Sequence, residues 1–389
     1  MISVAQALDC IDDLSIHSQS VQAAVGIDLL GAVLKENIVA PIALPEFRQS
    51  AMDGYALALH PSDSYTVVGE VAAGQLPNYS LTPGQAVRIF TGAPLPDTAE
   101  AIIIQEEVVR ENDTIRCKTL PQENRFIRSI GSQIKKGTVV LEKGDALKAS
   151  DLGILATLGI THVKISAPPK ISLLVTGNEL IPLGGIKNSA QVYESNSLVL
   201  GAALRKLNLE ATVMPLVPDT LEKTVAALKK AIHTSDLVLI SGGISVGDYD
   251  FVKPALERLS VKTHFYKIRQ KPGKPLYFGQ QQDCYIFGLP GNPASALSCF
   301  HLYVRRLLEK MQGKKNSEII KFPMAETFTN PFDRALLIKA QLTSSGMVPL
   351  DDYNSASLNR FRSATHIVHI PENQKEIAAG QEVASFQID

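Results

Sequence analysis

The sequence predicts a multidomain protein of α/β and β parts. It reads as a central α/β domain with a mostly parallel sheet, an inserted β-rich domain, a helical and β stalk, and a small barrel-like β domain at the C-terminus. Three observations predict this. The 389 residues exceed the roughly 250–300 at which one hydrophobic core stops growing. From about residue 170 to 313, apolar runs of strand length alternate with helical periodicity, as βαβ units do. On either side, at about 41–137 and 322–389, short β-type runs are separated by Gly, Pro and Asn-Asp turns.

Taken along the chain, residues 1–19 join 169–318 in the α/β domain, and 20–40 joins 138–168 in the stalk. Periodicity predicts stalk helices at Val21–Lys35 and Ser150–Leu158. The insertion, 41–137, carries strands at Tyr65–Val68, Ala86–Phe90, Ala101–Gln105 and Thr114–Lys118. Its Ser50–Ala56 and Arg88–Pro96 segments are dense in turn formers and read, from composition, as ordinary loops. The α/β strands are Ile171–Val175, Ala211–Leu216, Leu237–Ile240 and Tyr285–Leu289, each bounded by Gly, Pro or Asp. Between them Leu221, Thr224, Val225, Leu228 and Ile232 share a helical face, with Asp219 and Glu222 as N-cap and capping-box partner. A last helix starts at Asn292-Pro293, a cap followed by proline, and runs to Gly313. Lys314 to Ser317 is the linker to the C-terminal domain, 319–389, with strands at Ala335–Leu342, His366–Pro371 and Val383–Phe386 and a turn at Gly380.

Charge and composition exclude several functions. Lys and Arg total 38 against 39 Asp and Glu, a net charge of −1, so no overall field attracts nucleic acid or an anionic membrane. No apolar stretch approaches the roughly 18 residues that span a bilayer, and Asp9, Asp12 and Asp13 stand where a signal peptide is apolar. A cytoplasmic protein is expected. Cys10, Cys117, Cys284 and Cys299 are far apart with no CxxC pair, giving neither a zinc-site spacing nor a disulfide framework. They are expected to be buried, reduced thiols.

Two readings compete at Ser241-Gly242-Gly243-Ile244-Ser245-Val246-Gly247-Asp248. Gly243 to Gly247 matches the GxSxG nucleophile elbow, with Ser245 as nucleophile and His264, His301, His366 or His369 following in the order a hydrolase triad needs. No HGGG-type oxyanion segment accompanies it. The other reading is a glycine turn after a strand, whose bare N–H groups either bind an anion or only close a tight βα connection. Its neighbours favour an anion. Lys267-Ile268-Arg269-Gln270-Lys271-Pro272-Gly273-Lys274 is a rigid cationic loop, and Gly288-Leu289-Pro290-Gly291-Asn292-Pro293 ends a strand and opens a helix. All these turns follow carboxyl ends of strands, where open α/β sheets bind ligands. Glu179, Asp219, Asp248 and Asp250 accompany them, with the chemistry to hold Mg²⁺ or move protons. Asp219 is also explained as a helix cap.

In order along the chain, Pro45–Ala56, Phe90–Pro96, Thr176–Leu180, Ser241–Asp250 with Lys253, Lys271–Pro275 and Gly288–Pro293 resemble the molybdopterin molybdenumtransferases, which include the E domain of gephyrin. The resemblance covers essentially the whole chain. It implies a homodimer in which the β domain of one subunit faces the α/β domain of the other. The implied reaction takes adenylylated molybdopterin and molybdate, places molybdenum on the dithiolene sulfurs and releases AMP. The implied catalytic residues are Asp53, Thr91, Glu179, Asp219, Asp250, Lys267 and Lys271, with Asp219 and Asp250 on Mg²⁺. Gly242, Gly243, Ser245, Lys274, Pro290, Gly291, Asn292 and Pro293 would cradle the substrate, and Asp53 and Thr91 would come from the partner subunit. A molybdopterin adenylyltransferase and cofactor-accepting proteins are the further partners implied; nucleic acid and membrane are not.

The chain departs from the family pattern in three places. Arg128-Ser129-Ile130-Gly131-Ser132-Gln133-Ile134 lacks an acidic pair, with Ser132 and Gln133 in its place. Asn178 stands for Asp in Thr176–Leu180, although Glu179 remains, and Gln49 stands for Asn. Glutamine neither neutralises a metal nor takes a proton at neutral pH. A catalytically weakened relative that binds the pterin nucleotide or scaffolds a partner is therefore the alternative function, and a serine hydrolase using Ser245 the remote one. Molybdate and tungstate, tetrahedral dianions of similar size, are not distinguished.

Overall fold

The computed structural model describes residues 1–244, 250–315, 319–350 and 357–388. The chain divides into two compact units, Met1–Lys35 with Gly144–Lys148 and Val163–Asp389, and Glu36–Lys143 with Ala149–His162. Among the described residues no helix is long and apolar enough to cross a membrane. All four cysteines are free, and Cys117, Cys284 and Cys299 are buried.

A six-stranded sheet organises the first unit, in the order Ala211–Val213, Ile171–Val175, Leu237–Ser241, Cys284–Leu289, Tyr277–Gln281, Lys262–Tyr266. The first four strands are parallel, Tyr277–Gln281 runs against them, and Lys262–Tyr266 pairs antiparallel to that fifth strand. Side chains alternate across the pleat, and both faces are buried. Leu173, Leu239 and Phe287 enter one core with Val4, Leu8, Phe300, Val304 and Leu307. Leu174, Ile240 and Ile286 enter a second with Leu228, Val252 and Leu256. Strands buried on both sides read as continuous apolar runs, which is why the sequence shows them clearly. The antiparallel pair escapes the sequence reading, because its polar edge positions break the run.

Two predicted helical features are corrected and a third, the last helix, forms as expected with a change of pitch inside it. Val21–Lys35 is not a helix but a strand, Ser20–Ala24, and a 3₁₀ turn, Ile27–Leu29. Gly31 follows at φ +78°, a left-handed conformation that suits glycine and ends any helical run there. The helix Leu221–Thr234 is capped by Thr220, whose hydroxyl accepts from Lys223 N, and not by Asp219. The last helix is continuous but changes pitch, α over Pro293–Cys299, π over Phe300–Val304 and α again over Arg305–Met311. The other stalk helix forms at Ala149–Thr157.

The C-terminal sheet runs Gln270–Lys271, Ala335–Thr343, His366–Ile370, Glu382–Gln387, Ile320–Pro323, with Gly346–Pro349 paired to the second strand. Its first member comes from the cationic loop and lies parallel to Ala335–Leu336. Of the predicted linker, Asn316 and Ser317 lie outside the described residues.

The second unit contains a sheet ordered Ala101–Ile104, Gly54–Leu57, Gln85–Ile89, Ser64–Val71, Thr114–Cys117, Val108–Glu111. Gly54–Leu57, predicted as loop, is an inner strand and fully buried. Its glycine is dictated by packing, since a Cβ would lie 2.0 Å from the Ile103 carbonyl oxygen of the paired strand. Turn-forming residues hid a strand that begins with the one residue able to fit.

Candidate active site

The strands Ile171–Val175, Leu237–Ser241 and Cys284–Leu289 all end at one edge of the sheet. From Ile171–Val175 the chain passes to the strand on one side, and later returns to the strand on the other, so the connections diverge and leave a crevice there. A cavity of about 720 Å³ occupies it. Glu179, Asp219, Asp250, Gly242, Gly243, Lys271, Lys274 and the Pro290–Pro293 turn line it. The structure therefore brings together most of the residues expected from the first unit.

Two glycines shape one wall. Gly242 has φ +93° and a Cβ there would lie 2.4 Å from the Thr176 carbonyl oxygen; at Gly243, φ +60°, it would lie 2.8 Å from Thr176 Oγ1. The turn is thus pressed against the end of the neighbouring strand, exposing backbone where a side chain would otherwise stand. Asn196, at the start of the helix Asn196–Lys206 and 7% exposed, ties this wall to the next. Its Nδ2 donates to Ser241 Oγ and to the Gly291 carbonyl, both at 2.7 Å. Ser241 Oγ in turn donates to the Pro290 carbonyl at 3.2 Å.

The acidic side is built on Asp219. Its Oδ2 accepts from Asn178 N at 2.9 Å, and its own N–H donates to Asn178 Oδ1 at 3.1 Å. The pair replaces the expected helix cap. Burial raises the Asp219 carboxyl above its ordinary value, and the negative charges of Glu179 and Asp250 add to the rise against the Asn178 hydrogen bond. Among the described residues no three His, Cys, Asp or Glu side chains gather closely enough to hold a metal alone. That leaves Mg²⁺ compatible, since it takes one or two carboxylates and completes its shell with water and phosphate oxygens.

The cationic side has three members. Lys271 and Lys274 flank Pro272-Gly273, and the Lys271 Nζ stands 3.7 Å from the centre of the Phe332 ring. Arg334 joins them in the lining. Lys267 does not line the cavity: it has φ +64° and its Nζ lies 4.9 Å from the centre of the Tyr266 ring. Tyr266 donates its hydroxyl to the Ile244 carbonyl at 3.0 Å, which steadies the start of the glycine turn. Ser245 and Asp248 lie outside the described residues, and none of His264, His301, His366 and His369 lines the cavity.

Asp53 and Thr91 belong to the second unit and form a pair of their own. Asp53 Oδ1 accepts from Thr91 N at 2.7 Å and from Thr91 Oγ1 at 2.8 Å. These bonds, the backbone one first, hold the Asp53 carboxyl below its ordinary value. Gly92, at φ +83°, turns the chain directly after Thr91. In the same unit Gln49 accepts from Arg128 Nη1 at 3.4 Å, and the Gln133 N–H donates to the Leu44 carbonyl at 2.9 Å.

Sequence reasoning missed Asn196, Arg334 and Gln270 as lining residues. Arg334 reaches the site only because Ala335 pairs with Gln270, a residue far away in sequence, and no local pattern encodes that pairing. Asn196 has a local signal, a polar residue at a helix start, but its burial is a tertiary fact.

Residues 2–159 match the MoeA N-terminal region (domain I and II), and residues 172–310 match a probable molybdopterin binding domain. The chain is 30% identical over 365 residues to a molybdopterin molybdenumtransferase of Staphylococcus epidermidis, covering 90% of this chain and 87% of the relative. The chain belongs to the molybdopterin molybdenumtransferase family. A molybdopterin molybdenumtransferase of Haemophilus influenzae is 42% identical over 287 residues, 73% of this chain and 71% of the relative. The crystal structure of a molybdopterin biosynthesis MoeA protein from Pyrococcus horikoshii superposes with a TM-score of 0.83 at 28% identity, covering all of both chains. As a family member the chain is a transferase enzyme with the multidomain MoeA fold. The molybdenumtransferase motifs fall on both units, Pro45–Ala56 and Phe90–Pro96 in the second and the remainder in the first.

Proposed function

We propose that the protein inserts molybdenum from molybdate into adenylylated molybdopterin and releases AMP. The observation that carries this is the cavity itself: carboxylates, lysines with an arginine, and two bare glycine-bearing turns line one crevice at the carboxyl edge of the sheet. An adenylylated pterin needs all three, a surface without side chains for its phosphates, cations for oxyanions, and an acidic group for the metal that accompanies a pyrophosphate.

In this reading Gly242, Gly243, Ser245 and the Pro290–Pro293 turn hold the pterin and its phosphate through backbone donors. Lys271 and Lys274 hold the molybdate dianion, with Lys267 adding positive charge to the same loop. Asp219 and Asp250 are the residues that would hold Mg²⁺, and the negative charges of Glu179 and Asp250, which add to the rise that burial causes at Asp219, support such a site. When bound, Mg²⁺ supplies neutralising charge on the pyrophosphate oxygens. Glu179 orients the water that adds to the pyrophosphate as AMP leaves. The protein works as a homodimer, with Asp53 and Thr91 of a second subunit closing the site, and in the cytoplasm, where its free thiols remain reduced. A molybdopterin adenylyltransferase supplies the substrate and cofactor-accepting proteins take the product.

The test is AMP release and molybdenum incorporation by purified protein given adenylylated molybdopterin, molybdate and Mg²⁺, beside the Gln133→Asp variant. Activity in the parent is expected, with loss on chelation of Mg²⁺. Activity only in the variant would identify a binding or scaffolding relative, the reading that the neutral Ser132-Gln133 pair favours. No AMP from either protein would refute the proposal.

A further inference from the structure

We propose that Gln270 and Tyr303 are positioning residues that fix the cationic loop Lys271–Pro275, and through it the grip of Lys271 and Lys274 on an oxyanion. The inference rests on the function proposed above and names which buried groups make its oxyanion site rigid.

Gln270 has no exposed surface, so each of its polar atoms needs a partner inside the protein. Its Oε1 accepts the Tyr303 hydroxyl. Its Nε2 donates to the Gly273 carbonyl at 3.1 Å and faces Cys299 Sγ at 3.6 Å. Tyr303 and Cys299 are likewise fully buried. Burial drives the Tyr303 phenol well above its ordinary value and the Cys299 thiol up to about 12, so both keep their protons.

The helix is shaped for this contact. The π turn Phe300–Val304 lies where Cys299 and Tyr303 meet the loop, and a single-turn π segment is a recurrent feature of functional sites. The loop is shaped to match. At Gly273, φ +80°, a Cβ would stand 2.5 Å from Cys299 Sγ and 3.0 Å from Gln270 Nε2, so the apex rests directly on the helix. The Ile268 and Leu276 N–H groups both donate to the Lys274 carbonyl, at 3.0 and 3.1 Å, which closes the loop at its base. Gln270 thus holds the backbone at Gly273, between the two lysines that line the cavity. A receptor pre-organised in this way loses less entropy when it binds a small dianion.

Tyr303→Phe deletes one hydroxyl and leaves Gln270 Oε1 buried without a donor. Gln270→Leu combined with Tyr303→Phe removes both polar groups, so the Oε1 deficit is relieved while the tie to Gly273, intact in the single variant, is broken. Amide hydrogen exchange of the full-length protein should show the Ile268 and Leu276 amides exchanging roughly tenfold faster in the double variant and less so in the single one, with Leu237–Ser241 unchanged. The melting temperature should fall in the single variant and recover in the double. Molybdate titration by calorimetry should give a dissociation constant raised roughly tenfold in the double variant. Parent-like exchange at Ile268 and Leu276 in the double variant would overturn the proposal. If the parent binds no molybdate, the oxyanion reading falls, and the exchange result alone upholds or overturns the positioning role.

Discussion

Replacing Asn196 by aspartate exchanges Nδ2 for an oxygen of nearly the same size and tests whether this one amide joins the two walls of the cavity. Nδ2 makes two bonds at 2.7 Å, worth about 1 kcal/mol each net of water. Oδ1 is buried and makes no hydrogen bond, so an ionised carboxylate there faces the Gly291 carbonyl and gains a donor from Ser241 Oγ only by taking it from the Pro290 carbonyl. Losing both bonds and desolvating the charge should cost about 3 kcal/mol near pH 7.5. The deficit must depend on pH. Burial raises the native pKa of the new carboxyl above its unfolded value, so the native state binds the proton more tightly and stability falls as pH rises between the two values. At low pH the protonated acid again donates one bond, and the deficit should shrink to about 1 kcal/mol. Asn196→Ala loses the same two bonds but also removes the unpartnered Oδ1, whose burial costs about 1–3 kcal/mol, so its net effect should lie near zero. The chain has no Trp, and urea unfolding followed by circular dichroism at pH 5 and 7.5 reads all three proteins. An aspartate variant with the same deficit at both pH values, or an alanine variant as damaged as the aspartate one, would refute the reasoning.

Three further outcomes follow from the same site. Gly242→Ala sets a Cβ 2.4 Å from the Thr176 carbonyl oxygen at φ +93° and should cost at least about 2 kcal/mol, whereas Gly291→Ala, whose nearest atom would be 3.7 Å away, should stay within about 0.5 kcal/mol; thermal melts of the two decide it. Asp219→Asn keeps an acceptor for Asn178 N while removing a carboxyl whose pKa is raised by burial. The raised group weakens the native state increasingly as pH climbs above its unfolded value, so the variant should be the more stable protein at neutral pH, lose that advantage in acid, and release no AMP. Lys274→Ala removes a charged donor worth about 1.5–3 kcal/mol and should raise the KM for molybdate at least tenfold in steady-state assays.

The fold is readable where physics is local. Strands buried on both faces, such as Ile171–Val175 and Leu237–Ser241, are apolar but for one hydrogen-bonded serine each, Ser172 and Ser241, and the helix Leu221–Thr234 shows its buried stripe. Gly54–Leu57 is misread because its glycine, a turn former in isolation, is required by the Ile103 carbonyl of a strand much later in the chain. Gly31 reverses the error, hidden inside an apparently helical run. At the site, the glycine turns and cationic loop announce themselves through backbone-exposing residues and charge density. Asn196, Gln270 and Arg334 do not, because what makes them important is the partner each meets after folding: Ser241 and Gly291, Tyr303 and Gly273, and the parallel pairing of Gln270 with Ala335.

Asn178 shows how a departure from the family pattern can leave geometry intact and alter electrostatics. Only its Oδ1 and its backbone N–H engage Asp219, the first as acceptor and the second as donor. An aspartate at 178 would fill both roles, so no hydrogen bond accounts for the neutral residue. What changes is charge: Glu179 and Asp250 already raise the Asp219 carboxyl, and a further carboxylate in the same turn would add to that crowding. Asn178→Asp should therefore raise the proton affinity of Asp219 again. The acid limb of the kcat/KM profile for AMP release should move to higher pH, because Asp219 must then be deprotonated against a larger opposing field. Mg²⁺ should bind more tightly in the same variant, since a divalent cation relieves the repulsion that a proton relieves only in part. A profile that does not move, or a metal affinity that falls, would mean that the acidic side of this cavity is not electrostatically coupled through Asp219.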